Sequence, residues 1–192
     1  MERYQNKYRT ESSRLQDRDR SAPAWYYVTI CTDQRRYYFG DLSEGDSCVR
    51  LTTLGRVADE FFIQIPDHFP FVTIKAHVIM PNHVHGLMRV DGPAFSEKKT
   101  NSFGSQSKDF ASAVRGFKGA VQTFATLNRM PFKWQPSYHC NVVKSEKRVE
   151  IISNHIKSNP AKWIEKMKTY KTLKARERFG AETHDYAVYG DM

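Results

Sequence analysis

Residues 71–90 read FVTIKAHVIM-PN-HVHGLMRV, two runs rich in β-branched and apolar residues separated by Pro81-Asn82. Proline and asparagine are turn residues, so the stretch predicts an antiparallel hairpin: one strand over 71–80, with imperfect alternation, and its partner over 83–90. Side chains two apart on a strand share a face. His83 and His85 therefore project side by side, while Val84 points the opposite way, into a core. Two imidazoles so placed are the usual start of a divalent-metal site. A His-x-His pair by itself is more often an ordinary surface or core feature.

Outward from the hairpin, WYYVTICT (25–32) is aromatic and β-branched, hence a strand. A turn over 33–36 leads to YYFGDL (37–42), expected to return beside it as a second hairpin. Thr53 is a candidate cap for a helix to about Ile65, with Leu54, Val57, Ala58, Phe61, Phe62 and Ile65 at helical spacing and Pro66 and Pro70 closing it. Residues 91–107 hold two glycines, a proline and four serines without periodicity, and read as a loop. Residues 109–127 carry Phe110, Val114, Phe117, Val121 and Phe124 on one helical stripe. A strand is expected over 138–144, then a helix from Ser145 to about Ser158 ended by Pro160, and a last basic helix over 161–174. This alternation predicts an α+β fold, an antiparallel sheet with helices packed on one face and His83 and His85 on a central strand facing Asn159. Three segments are expected: a charged arm over 1–22, one domain over 23–175 and a tail over 176–192.

The 192 residues, 40% hydrophobic and 27% charged, are enough for one domain with a substantial core. The longest apolar run is a few residues around Phe61, so no membrane span is expected. The charged first twenty residues lack the apolar stretch of a secretory signal. Cys31, Cys48 and Cys140, odd in number and without paired spacing, fit neither a disulfide framework nor a zinc knuckle. A cytoplasmic protein is the expectation.

Net charge is +9, and aromatic residues make up 13%. Between residues 98 and 150 there are ten basic side chains against three acidic ones. A partner carrying phosphates would meet this region first. Lys108, Arg115 and Lys118 lie on or beside the 109–127 helix, off its apolar stripe, as a phosphate track or simply a solvated face. Lys144, Lys147 and Trp134 are further candidates for DNA contact. The loop around Trp134, and Trp163, would serve either as core packing or as surfaces for base stacking.

On the 145–158 helix, His155 and Asn159 are four apart and share a face. The Asn159 carboxamide would complete a mixed nitrogen–oxygen shell suited to Mg²⁺ or Mn²⁺; as an ordinary residue it would cap the helix before Pro160.

Three pieces in order, YYVTICTDQRRYYFG, HVIMPNHVHGLM and FKWQPSYHCNVVKSEKRVEIISNHIKSNPAKW, resemble the REP-associated tyrosine transposases, HUH-type single-tyrosine enzymes. The resemblance spans about residues 25–163. It implies a ferredoxin-like α+β domain binding single-stranded or hairpin DNA, as a monomer or homodimer. It further implies a metal held by His83, His85 and Asn159, and a helix tyrosine that attacks the scissile phosphate to leave a 5′-phosphotyrosyl link. Where the family reads Tyr-Ile-x-x-Asn-Pro, this chain has His155-Ile156-Lys157-Ser158-Asn159-Pro160, and the family's acid–histidine pair is Cys140-Asn141. His155 and Tyr138 are then the candidate attacking groups. Strand transfer, hydrolysis by an activated water, and DNA binding without catalysis are the functions these residues allow.

Overall fold

The computed structural model describes residues 23–42, 48–91 and 110–178, with side chains as far as 166. The 1–22 arm, Lys108 with nearly all of the 91–107 loop, and residues 179–192 of the tail lie outside the described residues. Four strands, β1 (Ala24–Cys31), β4 (Val72–Met80), β5 (His83–Val90) and β6 (His139–Val143), form one antiparallel sheet in the order β4-β5-β1-β6. The hairpin over 71–90 is present as expected, and β5 is central.

Alternation along β1 and β5 sorts their side chains between two layers. Tyr26, Val28, Ile30, Val84 and Met88 face helices α1 (Thr53–Ile63) and α3 (Phe110–Leu127), packing on Phe62, Val114, Phe117 and Val121. Leu87 faces the other way with Ala76 and Val143, against Val149 and Ile156 of α4 (Glu146–Arg178). The antiparallel α+β sheet is as expected, but the helices do not all pack on one face: α1 and α3 share one, and α4 covers the other. Burial of a side chain such as Phe62 or Leu87 contributes about 1.5–3 kcal/mol.

The imperfect alternation of β4 has a local cause. Its register against β5 shifts between Ile74 and Ala76, so Lys75 is an extra residue. Before it, Val72 and Ile74 turn toward α1 and α3; after it, Ala76 and Val78 turn toward α4. Lys75 itself reaches Glu150 of α4 at 3.2 Å.

Four local expectations are corrected. The 37–42 segment does not pair with β1, whose two edges are taken by β5 and β6. Instead β2 (Gly40–Asp41) pairs with β3 (Arg50–Leu51) in a small second sheet, with Phe39 buried and its amide donating to the Pro81 carbonyl at 3.0 Å. Thr52 rather than Thr53 caps α1, its Oγ1 accepting from the Gly55 amide at 3.0 Å. Pro66 does not close α1; it sits in the first turn of the four-residue α2 (Ile65–His68), where its missing N–H leaves no bond unmade. Finally, Pro160 does not end a helix. α4 continues through it to Arg178, past the predicted boundary at 175, at the cost of one backbone hydrogen bond. Among the described residues no helix is long and apolar enough to cross a membrane.

Candidate functional site

The tight turn between β4 and β5 starts β5 with His83 and places His85 two residues on, both on the α4 face. Val84 between them is fully buried on the opposite face. Both imidazoles are enclosed, at 5% and 9% exposure, with their Nε2 atoms 3.0 Å apart. That separation is the span of two adjacent corners of an octahedron around a cation at about 2.1 Å.

The Nδ1 sides are held from behind. Asn82 Nδ2 donates to the Arg35 carbonyl at 3.1 Å, which turns its Oδ1 toward His83. The His83 Nδ1–H then donates to that Oδ1 at 2.7 Å, and its Nε2 lone pair is left to face His85. His85 Nδ1 meets two hydroxyls, Thr29 Oγ1 at 2.9 Å and Tyr27 Oη at 3.0 Å. Hydroxyls donate or accept, so His85 Nδ1 is satisfied in either tautomer; without a cation, the proton on His85 Nε2 donates to the His83 Nε2 lone pair. This is the outer-shell support that orients metal-binding histidines.

The site keeps its imidazoles neutral. Burial, reinforced by the Arg35 guanidinium, lowers His83 to about 4. Burial also drives His85 well below the usual imidazole range, helped by His83 and His155. His155 is lowered by partial burial and by Lys162 and Lys166. Neutral imidazole is the form that binds a cation.

Helix α4 crosses this face with His155, Asn159 and Trp163 at four-residue intervals, one stripe of the helix. The His155 ring centre is 6.4 Å from that of His85, and Trp163 is 5.6 Å from His83. Asn159 stands on the stripe between them. Among the described residues no three His, Cys, Asp or Glu side chains converge as a metal-binding group. Two imidazole nitrogens are the donors the structure brings together, and Asn159 shares the helix stripe that crosses them.

Other candidates lie elsewhere. Tyr138 packs against Phe110, 6.1 Å between ring centres, on the α1/α3 side of the sheet, away from the imidazoles. Trp134 is not a stacking surface: it packs among Phe39, Phe117 and Phe132, and its indole N–H donates to the Lys118 carbonyl at 3.0 Å. Lys118 is not on a phosphate track, because its ammonium donates to the Gln135 carbonyl at 2.7 Å and lies over the Trp134 ring. Arg115, Lys144 and Lys147 are exposed. Cys140 points toward the α1/α3 core, where burial raises its thiol to about 12, while Asn141 sits opposite Tyr27 on the histidine face.

Tyr27, Thr29 and Arg35 were missed as site residues. Tyr27 and Thr29 share a strand face by spacing, but only the pairing of Thr29 with His85 brings them to the site.

The site is therefore an enclosed, neutral histidine pair on the central strand of a small antiparallel sheet, crossed by a helix bearing a histidine and an amide. No family model matches the chain. An uncharacterised protein of Haemophilus influenzae is 29% identical over 161 residues, covering 79% of this chain and 88% of the relative. The structure of a REP-associated tyrosine transposase bound to a REP hairpin superposes with a TM-score of 0.50 at 17% identity, covering 100% of this chain and 99% of that one. The chain therefore has the fold of the REP-associated tyrosine transposases.

Proposed function

We propose that this chain is a transposase-like protein that binds single-stranded or hairpin DNA and cleaves and transfers a strand at the His83–His85 pair. The observation that carries this reading is the pair itself: two neutral imidazoles 3.0 Å apart, each supported on its far nitrogen. The solved structure sharing the fold was determined with a REP hairpin. His83, His85 and the Asn159 amide would hold Mg²⁺ or Mn²⁺. When bound, the cation would polarise the scissile phosphate and offset the charge that develops on it.

The chain's own residues do the rest. Arg35, Lys162 and Lys166 draw the phosphate backbone to the pair. Asn82, Tyr27 and Thr29 keep the rings from turning. His155 occupies the place of the attacking group. As a nucleophile its nitrogen would form a bond to phosphorus as the bond to the 3′ oxygen breaks, and that oxygen would take up a proton. A phosphohistidyl link is labile, so release by water follows readily. As a neutral imidazole His155 also serves as a base for an attacking water. Hydrolysis is the second reading, favoured by the histidine at this helix position. Tyr138 takes no part in either route, given its place on the other side of the sheet. The described cysteines are all free thiols, which suits a reducing cytoplasm where such DNA is met.

Incubation with end-labelled hairpin DNA and Mn²⁺ tests the reading. Cleavage that disappears in His83→Ala and His85→Ala supports it, with a covalent adduct marking transfer and free ends marking hydrolysis. Retention of DNA without any cleavage would leave only a DNA-binding scaffold and overturn the enzymatic part.

A further inference from the structure

His139, exposed at the start of β6, lies on the histidine face of the sheet, and the chemistry above does not use it. Directly opposed residues of antiparallel strands place their side chains on one face. Thr29 is opposed to His85 on one side and to His139 on the other, and its Oγ1 meets His85 Nδ1 at 2.9 Å. The sheet therefore carries a row His85–Thr29–His139, its outer backbones two strand spacings or about 10 Å apart. Cys140, the next residue, points toward the α1/α3 core, which fixes the side that His139 takes. Tyr27 and Thr29 are half-buried while His139 and Asn141 are exposed, so α4 leaves this half of the sheet open. The short Thr29 side chain between two imidazoles makes a notch there.

Helix α4 borders the notch from the other side. Its Glu150 reaches Lys75 on β4, the side of the helix away from β1. His155, five residues on and about 140° round the helix, instead faces His85. The flank of α4 that bears His155 thus looks over β1 toward β6. Other proton carriers of the sheet are committed or absent. The four strands hold no Asp or Glu. His77 is joined to Asp59 of α1 on the opposite face. The Tyr27 and Thr29 hydroxyls are engaged by His85 Nδ1, and burial raises the Tyr27 phenol. Cys31 is buried, and its thiol is raised by that burial. Among these strands His139 is left as the side chain able to hand over a proton at the notch and take it back, the commonest role of histidine in catalysis.

We propose that His139 is the general acid of strand cleavage, giving its proton to the departing 3′ oxygen while attack comes from the His155 side. Displacement at phosphorus runs in line, with attacking and leaving groups on opposite sides, and a phosphate lying over Thr29 has His155 on one side and His139 on the other. As the new bond to phosphorus forms, from the His155 nitrogen or from a water whose proton His155 takes, the bond from phosphorus to the 3′ oxygen breaks. The imidazolium proton of His139 passes to that oxygen, leaving a 3′-hydroxyl and a neutral His139. In rejoining, neutral His139 takes the proton back from the attacking 3′-hydroxyl. The proposal rests on the strand-cleavage reading and supplies the proton that reading requires.

The test uses the full chain, in excess over two end-labelled hairpin substrates with Mn²⁺. One substrate is natural at the scissile linkage, and the other has sulfur in place of the bridging 3′ oxygen. A thiolate departs without a proton, so the sulfur substrate does not need the acid. His139→Ala should cleave the natural substrate about 100-fold more slowly than the wild type and the sulfur substrate within about threefold of it. His139→Gln, which keeps the bulk and has no proton to transfer, should behave alike, and it decides should His139→Ala fail to fold. His83→Ala should lose both substrates. Hairpin affinity in EDTA, followed by fluorescence anisotropy, should be unchanged in His139→Ala. Equal slowing on both substrates, no slowing on either, or a loss of affinity that accounts for the slowing would overturn the general acid and leave cleavage at the pair intact. A wild type that cleaves the sulfur substrate alone would overturn it as well. If the wild type cleaves neither, the cleavage reading falls and the role of His139 with it.

Discussion

Asn82 holds His83 from behind, its Oδ1 accepting from the ring Nδ1–H at 2.7 Å while its Nδ2 donates to the Arg35 carbonyl at 3.1 Å. A turn built on two left-handed residues thereby fixes which nitrogen of a buried histidine carries the proton. Backbone strain at one end of the loop and ligand readiness at the other are linked through a single amide.

Asn82→Ala should lower Mn²⁺ affinity about 10- to 100-fold, the usual effect of losing an outer-shell partner. Calorimetric titration of the purified protein checks this. In the metal-free wild type, ¹⁵N shifts should report His83 as the Nδ1–H tautomer. A metal affinity unchanged by the substitution would mean that the amide plays no part in orienting the ring.

Stability should fall with acid in a defined window. His83 is held at about 4 when folded and titrates near 6.5 when unfolded. Above about pH 6.5 both states are neutral and the full stability is present. Below it the unfolded chain binds protons that the folded one refuses, so stability is lost as pH falls toward 4, by about 2 kcal/mol at pH 5 from His83 alone. His85, also lowered, adds in the same direction. Thermal melts in EDTA between pH 7 and 4.5 should show the loss, and His83→Gln/His85→Gln should flatten the curve.

Arg115 and Lys118 should part company. Arg115→Glu, on an exposed position of α3, should weaken DNA binding and reduce its salt dependence by about one ion. Lys118→Met should cost about 1–2 kcal/mol of stability by leaving the Gln135 carbonyl without its donor, with DNA affinity barely changed. A DNA defect in Lys118→Met at full stability would restore it to the binding surface.

Gly86 is a close-approach position. A Cβ there would lie 2.3 Å from the Phe62 ring, so Gly86→Ala must displace an aromatic anchor of the α1 core. A loss of about 1–3 kcal/mol in denaturant unfolding is expected, together with weaker metal binding, because His85 is the adjacent residue.

The wild type should form no lasting covalent link to DNA, and His155→Tyr should gain one with Mg²⁺ or Mn²⁺, detectable as a denaturant-resistant band on labelled hairpin DNA. The family's acid–histidine pair is also missing here, replaced by Cys140-Asn141, and a second change at these positions is the natural companion. A stable adduct on Tyr138 of the wild type would contradict the placement of that residue away from the pair.

The histidine pair was legible because everything that makes it is local: turn, strand period and spacing lie within residues 81–85. The stripe of α3 was legible for the same reason. What could not be read is long-range. Nothing near residues 37–42 says that the edges of β1 belong to strands more than fifty residues away. The period of 71–80 hides its bulge, because the same residues fit neither register throughout. Pro160 reads as a stop, since local rules contain no sheet for α4 to continue along. Trp134 and Trp163 differ only in what surrounds them, and only the fold assigns one to the core and the other to the site.

The single extra residue at Lys75 makes β4 change allegiance halfway along its length, serving one hydrophobic layer with Val72 and Ile74 and the other with Ala76 and Val78. Removing Lys75 would leave Ile74 paired with Met88 and Ala76 with Leu87, because successive residues of a regular strand already face opposite layers. His77, joined to Asp59 of α1 at 2.8 Å, and Val78, under α4, would keep their sides, and the ion pair of Lys75 with Glu150 would be lost. The bulge is thus the one point of β4 where a chain can lose a residue and keep both layers, and related chains one residue shorter here should carry a regular strand.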